Sequence, residues 1–255
     1  MADYTTNELL ACTAARVLQD RKAVFVGTGL PMIAGLLAQR IHAPNMLIIF
    51  EAGGIGPQVP VLPISVGDSR TVYKAIAASS MHEVMSMSQS GYIDFGFLGG
   101  AQIDMYGNLN TTVLGPHDNP KVRLPGSGGA NDVGSLCHKS ILIMRQDKRK
   151  FAEKLDFITT PGYLQGGTSR YDAGLPAGTG PFRVISQLAV FDFEPVSKRM
   201  RIYSVHPGVE IETVLENSGF EILVPDNVPV TQPPSKQELD MLQIIDPVGM
   251  VIAKR

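Results

Sequence analysis

The stretch over residues 23–51 constrains this chain most, because two short apolar runs there flank a glycine loop and a helical segment. Ala23-Val24-Phe25-Val26 is continuously apolar, the pattern of a strand covered on both faces. The run breaks at Gly27-Thr28-Gly29, and Pro31 follows where a first helical turn tolerates a missing N–H. A helix is predicted from there to about Arg40, and Met46-Leu47-Ile48-Ile49-Phe50 is a second buried strand ending on Glu51. Two such runs within about 30 residues suit a parallel crossover rather than a hairpin. The fold class expected is therefore α/β, with an open, largely parallel sheet flanked by helices.

The rest of the chain fits that frame. Thr5 with Glu8 reads as a capping box, and Leu10, Ala14, Val17 and Leu18 give its helix an apolar stripe. Residues 52–68 are rich in Gly and Pro and are predicted as a long, ordered loop; a helical pattern returns over about Arg70 to Gln89. Ile93 to Leu98 is a third strand, and the stretch around Tyr106-Gly107-Asn108 has a hairpin signature. After a second glycine cluster, Gly126 to Asp132, a strand is predicted at Ser140 to Met144. The C-terminal third reads as short hairpin and edge strands at Phe182–Ser186, Leu188–Phe193 and Met200–Val205. Helices at about Glu210–Asn217 and Ser235–Ile245 close the chain, the second capped by Ser235 with Glu238. No repeat or linker divides the sequence, so a single domain over residues 1–255 is expected.

Composition removes several function classes. With 255 residues, 44% apolar and 18% charged, the chain can bury a proper core. A formal charge of −2, and no basic block longer than Lys148-Arg149-Lys150, leave no footprint for nucleic acid or an anionic membrane. The longest nearly apolar stretch, Leu30 to Ala38, is too short to span a bilayer. Met1-Ala2-Asp3-Tyr4 has neither the basic nor the apolar region of a leader, and Cys12 and Cys137 form no disulfide framework, so a reducing, cytoplasmic setting is expected. The five histidines lack metal-ligand spacing, and no GxSxG elbow is present.

Three places remain for chemistry. Glu51 ends a strand and precedes Ala52-Gly53-Gly54, and open α/β sheets bind ligands beyond the carboxyl ends of their strands. The competing reading is a strand-end acid that faces solvent or pairs with a lysine. Gly27-Thr28-Gly29 lacks the third glycine of a dinucleotide fingerprint, and a tight strand-to-helix turn explains it better than a phosphate cradle. Gly126-Ser127-Gly128-Gly129-Ala130-Asn131-Asp132 leaves backbone N–H groups unobstructed for a phosphate, thioester oxygen or oxyanion, or else is a flexible surface loop.

With these residues in view, the chain resembles the β-type subunits of the class I CoA-transferases, of the glutaconate CoA-transferase kind. The resemblance rests on Val26-Gly27-Thr28-Gly29-Leu30-Pro31, on Ala43-Pro44 before Ile48-Ile49-Phe50-Glu51, and on Ser65-Val66-Gly67-Asp68. It continues through Gly99-Gly100-Ala101-Gln102-Ile103-Asp104, Tyr106-Gly107-Asn108 and Gly126-Ser127-Gly128-Gly129-Ala130-Asn131. It implies that Glu51 is the nucleophile, carrying a glutamyl-CoA thioester, and that Gly128, Gly129, Ala130 and Asn131 belong to the loop closing over it. Gly27, Thr28, Gly29, Ala52, Gly53, Gly100 and Gln102 are implied near substrate or CoA. Coenzyme A would be a substrate, with no permanently bound cofactor, and a dicarboxylic acid is the favoured acceptor. A homologous α-type subunit is implied as partner, in a heterodimer doubled to α2β2 with the site at the interface. Many members carry Asn or Ser after the glutamate; Ala52 keeps the acid and the glycine but loses a polar side chain. Relatives on this fold act as decarboxylases or ring-cleaving hydrolases, and a non-catalytic scaffold is a further alternative.

Overall fold

The computed structural model describes residues 4–252, so the opening Met1-Ala2-Asp3 lies outside the described residues. The chain groups into two compact units, one holding residues up to Phe97 together with Gln232 onward, the other Leu98–Thr231.

In the first unit, α1 (Thr6–Val17) opens on the expected box: the Thr5 hydroxyl accepts the Glu8 amide, and the Glu8 carboxylate accepts the Thr5 amide. Next come β1 (Ala23–Val26), α2 (Leu30–Ile41) and β2 (Leu47–Phe50), the predicted crossover. β1 and β2 pair in parallel, with Ala23 opposite Leu47 and Val26 opposite Phe50. Val24, Val26, Ile48, Ile49 and Phe50 are all completely buried, each such side chain contributing about 1.5–3 kcal/mol.

The segment after β2 departs from expectation. Residues 52–68 are not wholly loop, because β3 (Gly54–Ile55) pairs antiparallel with β2, Ile55 opposite Ile49. The stretch expected as one helix from Arg70 divides into a 3-10 turn at Ser69–Val72, β4 (Ala77–Ala78) beside β3, and α3 (Met81–Gln89). Two acids cause the division. Asp68 accepts the Arg70 amide and pairs with its guanidinium, closing the 3-10 turn. Ser80 and Glu83 make a second capping box, which starts the helix at Met81. β5 (Phe95–Leu98) pairs in parallel with β1 on the side away from β2.

In the second unit, β6 (Gln102–Ile103) and β7 (Leu109–Asn110) form the expected hairpin. Asp104 clasps its turn, accepting the Tyr106 and Asn108 amides at 2.9 and 3.0 Å and the Asn108 side chain at 2.7 Å. β8 (Val113–Leu114) and β9 (Val122–Arg123) make another hairpin, and α4 (Ala130–Leu136) begins inside what was expected as a glycine loop. β10 (Lys139–Ile143), the short α5 (Ser169–Asp172), β11 (Pro181–Ile185), β12 (Ala189–Phe193), β13 (Met200–Val205) and α6 (Ile211–Glu216) follow. β10 and β11 are parallel, whereas β11, β12 and β13 run antiparallel in turn. Finally α7 (Lys236–Ile245) returns to the first unit, opening on the Ser235–Glu238 box, with Glu238 held by Arg16 at 2.6 Å. The architecture is thus α/β, a mixed, mostly parallel sheet flanked by helices. Among the described residues, no helix is long and apolar enough to cross a membrane. Both cysteines are buried, and burial pushes the Cys12 thiol up to about 12, which leaves it an inert core group.

Two buried polar groups carry much of the second unit's specificity. Arg170 is 4% exposed and donates to the carbonyls of Pro161, Gly162, Gly134 and Ser135 and to the Thr179 hydroxyl. Its charge is solvated by carbonyl dipoles, two of them from the last turn of α4, where the helix dipole is negative. Replacing it with methionine, Arg170→Met, strands these acceptors and should cost about 3 kcal/mol or more in urea unfolding. His206 is 2% exposed, with Nε2 2.8 Å from the Ser186 carbonyl and no described partner for Nδ1. Burial holds its pKa below the ordinary value, so the folded ring stays neutral while the unfolded chain takes up a proton below about pH 6.5. The unfolded state then binds more protons, and this contribution to stability is lost as pH falls from there. Urea midpoints measured at pH 7 and pH 5 should therefore diverge more in the parent than in His206→Gln.

Candidate active site

The β1–β2 register builds the first cluster. Val26 and Phe50 are opposite each other at the carboxyl ends of neighbouring parallel strands, so Gly27 and Glu51, one residue further on, emerge side by side. Adjacent strands lie about 4.8 Å apart. Gly27-Thr28-Gly29 leads directly into α2, with Gly29 as its N-cap at φ 77°. An added Cβ at Gly27 or Gly29 would meet nothing within 4 Å, so this loop borders open space rather than packed protein.

Glu51 occupies the second position of a turn closed by the Gly53 amide donating to the Phe50 carbonyl at 2.9 Å. Its side chain is half-buried, and among the described residues nothing bonds or pairs with the carboxylate. The lysine-paired alternative is thus not what the fold adopts. Gly53 has φ 113°, and a Cβ there would fall 1.9 Å from the Ser79 carbonyl. At Gly54 the corresponding contact is 2.0 Å from the Thr71 carbonyl. The β3–β4 pair therefore closes tightly beneath the turn, while Ala52 points outward and is exposed. Thr28 is likewise exposed. A carboxylate with no partner among the described residues thus extends from a backbone position beside an open glycine loop, a combination that suits attack on an electrophilic carbonyl.

The remaining residues of interest lie in the second unit and form their own connected group. Gln102 is buried, and its amide is fully engaged: it accepts from the Asn110 side chain at 2.7 Å and the Asp156 amide at 3.1 Å, and donates to the Asp156 carboxylate at 3.0 Å. In this way Gln102 ties the hairpin to the segment around Asp156. Gly100 sits at the start of that hairpin, where a Cβ would press on Leu109 at 3.2 Å. The glycine loop is pinned to the hairpin's continuation, Gly126 N–H to the Thr111 carbonyl at 2.8 Å and the Thr111 hydroxyl to the Gly126 carbonyl at 2.9 Å. Ala130 and Asn131 do not present free amides as expected, because both donate to Ser127, and the Asn131 side chain donates to the Thr159 carbonyl. Gly129 is the N-cap of α4. Gly128, at φ 49° with nothing within 4 Å of an added Cβ, keeps the openness expected of the loop. Thr111, Asp156 and Thr159 were not anticipated, since they have partners far along the chain and no local spacing marks them.

Known proteins resemble this chain over most of its length. A family model described as Coenzyme A transferase matches residues 7–217. The B-type subunit of 3-oxoadipate CoA-transferase from Pseudomonas knackmussii is 40% identical over 96% of this chain and 95% of its own length. The B-type subunit of glutaconate CoA-transferase from Acidaminococcus fermentans is 37% identical over 91% of this chain and 90% of its own. The crystal structure of glutaconate coenzyme A-transferase from Acidaminococcus fermentans superposes with a TM-score of 0.94 at 33% identity, covering 99% of each chain. The chain belongs to the coenzyme A transferase family.

Proposed function

We propose that this chain is the nucleophile-bearing half of a two-subunit CoA-transferase that moves CoA between an acyl-CoA and a dicarboxylic acid through Glu51. The observation that carries the reading is the Glu51 carboxylate at the carboxyl end of β2, without a described protein partner and beside the open Gly27–Gly29 loop. The substrate class is supported by the relatives, whose names specify 3-oxoadipate and glutaconate, both dicarboxylic. Both relatives are B-type subunits, which supports an A-type partner for this chain, and a doubled heterodimer is the simplest symmetric assembly.

The chemistry conserves the thioester's free energy by keeping it covalent. A Glu51 oxygen attacks the acyl-CoA carbonyl, the C–S bond breaks, and CoA thiolate leaves behind an acyl-glutamyl anhydride. The thiolate then attacks the glutamyl carbonyl, expelling the first acid as its carboxylate and leaving a glutamyl-CoA thioester. The second acid's carboxylate attacks this thioester, and the same two steps run in reverse. Each tetrahedral intermediate needs N–H donors, a role we assign to the backbone of the Gly27–Gly29 loop. Water must be excluded while the anhydride and thioester exist, or transfer becomes hydrolysis.

Two outcomes are expected of the co-purified complex. Incubation with glutaconyl-CoA followed by borohydride should convert Glu51 alone to the alcohol, detectable by peptide mass spectrometry. Glu51→Gln should lose at least about 10³-fold in transfer. Release of free CoA with Glu51 unmodified would instead place the chain with hydrolytic or decarboxylating relatives, and full activity in Glu51→Gln would make it a scaffold. Gly27→Leu separates fold from site: an added Cβ there meets no protein, so the unfolding free energy should stay within about 0.5 kcal/mol of the parent. The leucine would fill the space beside Glu51, and KM for acyl-CoA should rise.

A further inference from the structure

A cavity of about 560 Å³ lies in the first unit at the amino end of β2, the end opposite Glu51. The strand separates the two by roughly 15 Å. The cavity combines an apolar wall with two cations. Leu36, Met46 and Val59 form its floor, each at most 5% exposed, and Ile76, 78% exposed, stands at its mouth. Arg40, from the last turn of α2, and Lys74, from the segment before β4, supply the charge.

Neither cation is neutralised by the protein. The described bond of Arg40 is one long contact, 3.4 Å, to the Val59 carbonyl, and Lys74 lies 5.5 Å from the Tyr73 ring centroid. Among the described residues neither forms an ion pair, and no Asp or Glu lines the cavity. Asp20 bonds to the lining residue Asn45 but spends both carboxylate oxygens on it, at 2.6 and 2.9 Å. Lys74 is moreover held at φ 48°, a left-handed conformation that a non-glycine residue keeps only where its surroundings impose it. A concave site with an apolar body and a few convergent polar groups is the usual form of a small-molecule pocket.

We propose that this cavity binds an organic carboxylate with an apolar body, its charge met by Arg40 and Lys74 and its hydrocarbon laid against Leu36, Met46, Val59 and Ile76. A volume of about 560 Å³ far exceeds that of a lone inorganic ion, and the apolar floor favours a ligand with a hydrocarbon part. The site does not use Glu51 and stands independently of the transferase reading.

Hexanoate serves as the probe, titrated calorimetrically into the full chain, alone and co-purified with its partner subunit. Saturable binding is expected in both preparations and unchanged in Glu51→Ala. The double variant Arg40→Gln/Lys74→Gln should bind at least tenfold more weakly, a change of about 1.4 kcal/mol. Inorganic phosphate should bind at least tenfold more weakly than hexanoate. Lys74→Gln alone, altering an exposed side chain, provides the comparison if the double variant unfolds at lower urea. The proposal is overturned by absence of binding, by loss of binding in Glu51→Ala, by retention in the Arg40 and Lys74 variants, by phosphate binding as tightly, or by binding confined to the isolated chain.

Discussion

The parallel ladder between β1 and β2 is the constraint on which the first unit depends. Its register leaves the glycine loop and Glu51 at the same height on neighbouring strands, because both strands run the same way and end together. An antiparallel pair would have put them at opposite ends. The crossover helix α2 is what permits parallel pairing, and its burial against α1 and the sheet supplies the driving force. A shift of one residue would move Phe50 off Val26 and turn every core side chain to the other face. The position of the carboxylate is thus secured by the core beneath it rather than by any bond to the carboxylate itself.

The second unit adds polar clasps to its buried strands. Asp104 and Asn108 close one turn, with the Asn108 side-chain oxygen also accepting the Gly162 and Leu164 amides. Gln102, Asn110 and Asp156 form a second clasp, and Arg170 gathers several carbonyls into a third. Burial raises the Asp104 carboxyl although its hydrogen bonds act the other way, a sign of how dry that turn is. Such networks specify one arrangement of irregular backbone because any alternative leaves buried donors or acceptors unmet.

The distance between partners along the chain explains what could be read from the sequence. The crossover, the Thr5 and Ser235 capping boxes, the Tyr106-Gly107-Asn108 turn and the three late strands all carry local signatures, and each appears where its pattern placed it. The place of Glu51 just beyond a strand end was legible because an apolar run followed by glycines is a short-range signal. The segment from Arg70 misled because its helical spacing continues across residues that β3 recruits into a strand, a tertiary pairing no window of sequence contains. Gln102 stood in a recognisable motif, yet its partner Asp156 is remote, so its commitment to the hairpin was invisible. The openness of the first glycine loop and the capture of the Ala130 and Asn131 amides by Ser127 likewise emerge only in three dimensions.

The turn around Glu51 also bears on how such a chain can diverge. Gly53 and Gly54 are closed to any side chain by the Ser79 and Thr71 carbonyls, and Phe50 is locked into the ladder. Among the residues of this turn, Ala52 is the one that is exposed, with room to change. Change within the turn itself is therefore channelled into one position framed by closed geometry. A library built at residue 52 would sample the local diversity the backbone can accept, whereas saturation of the two glycines would chiefly return misfolded chains.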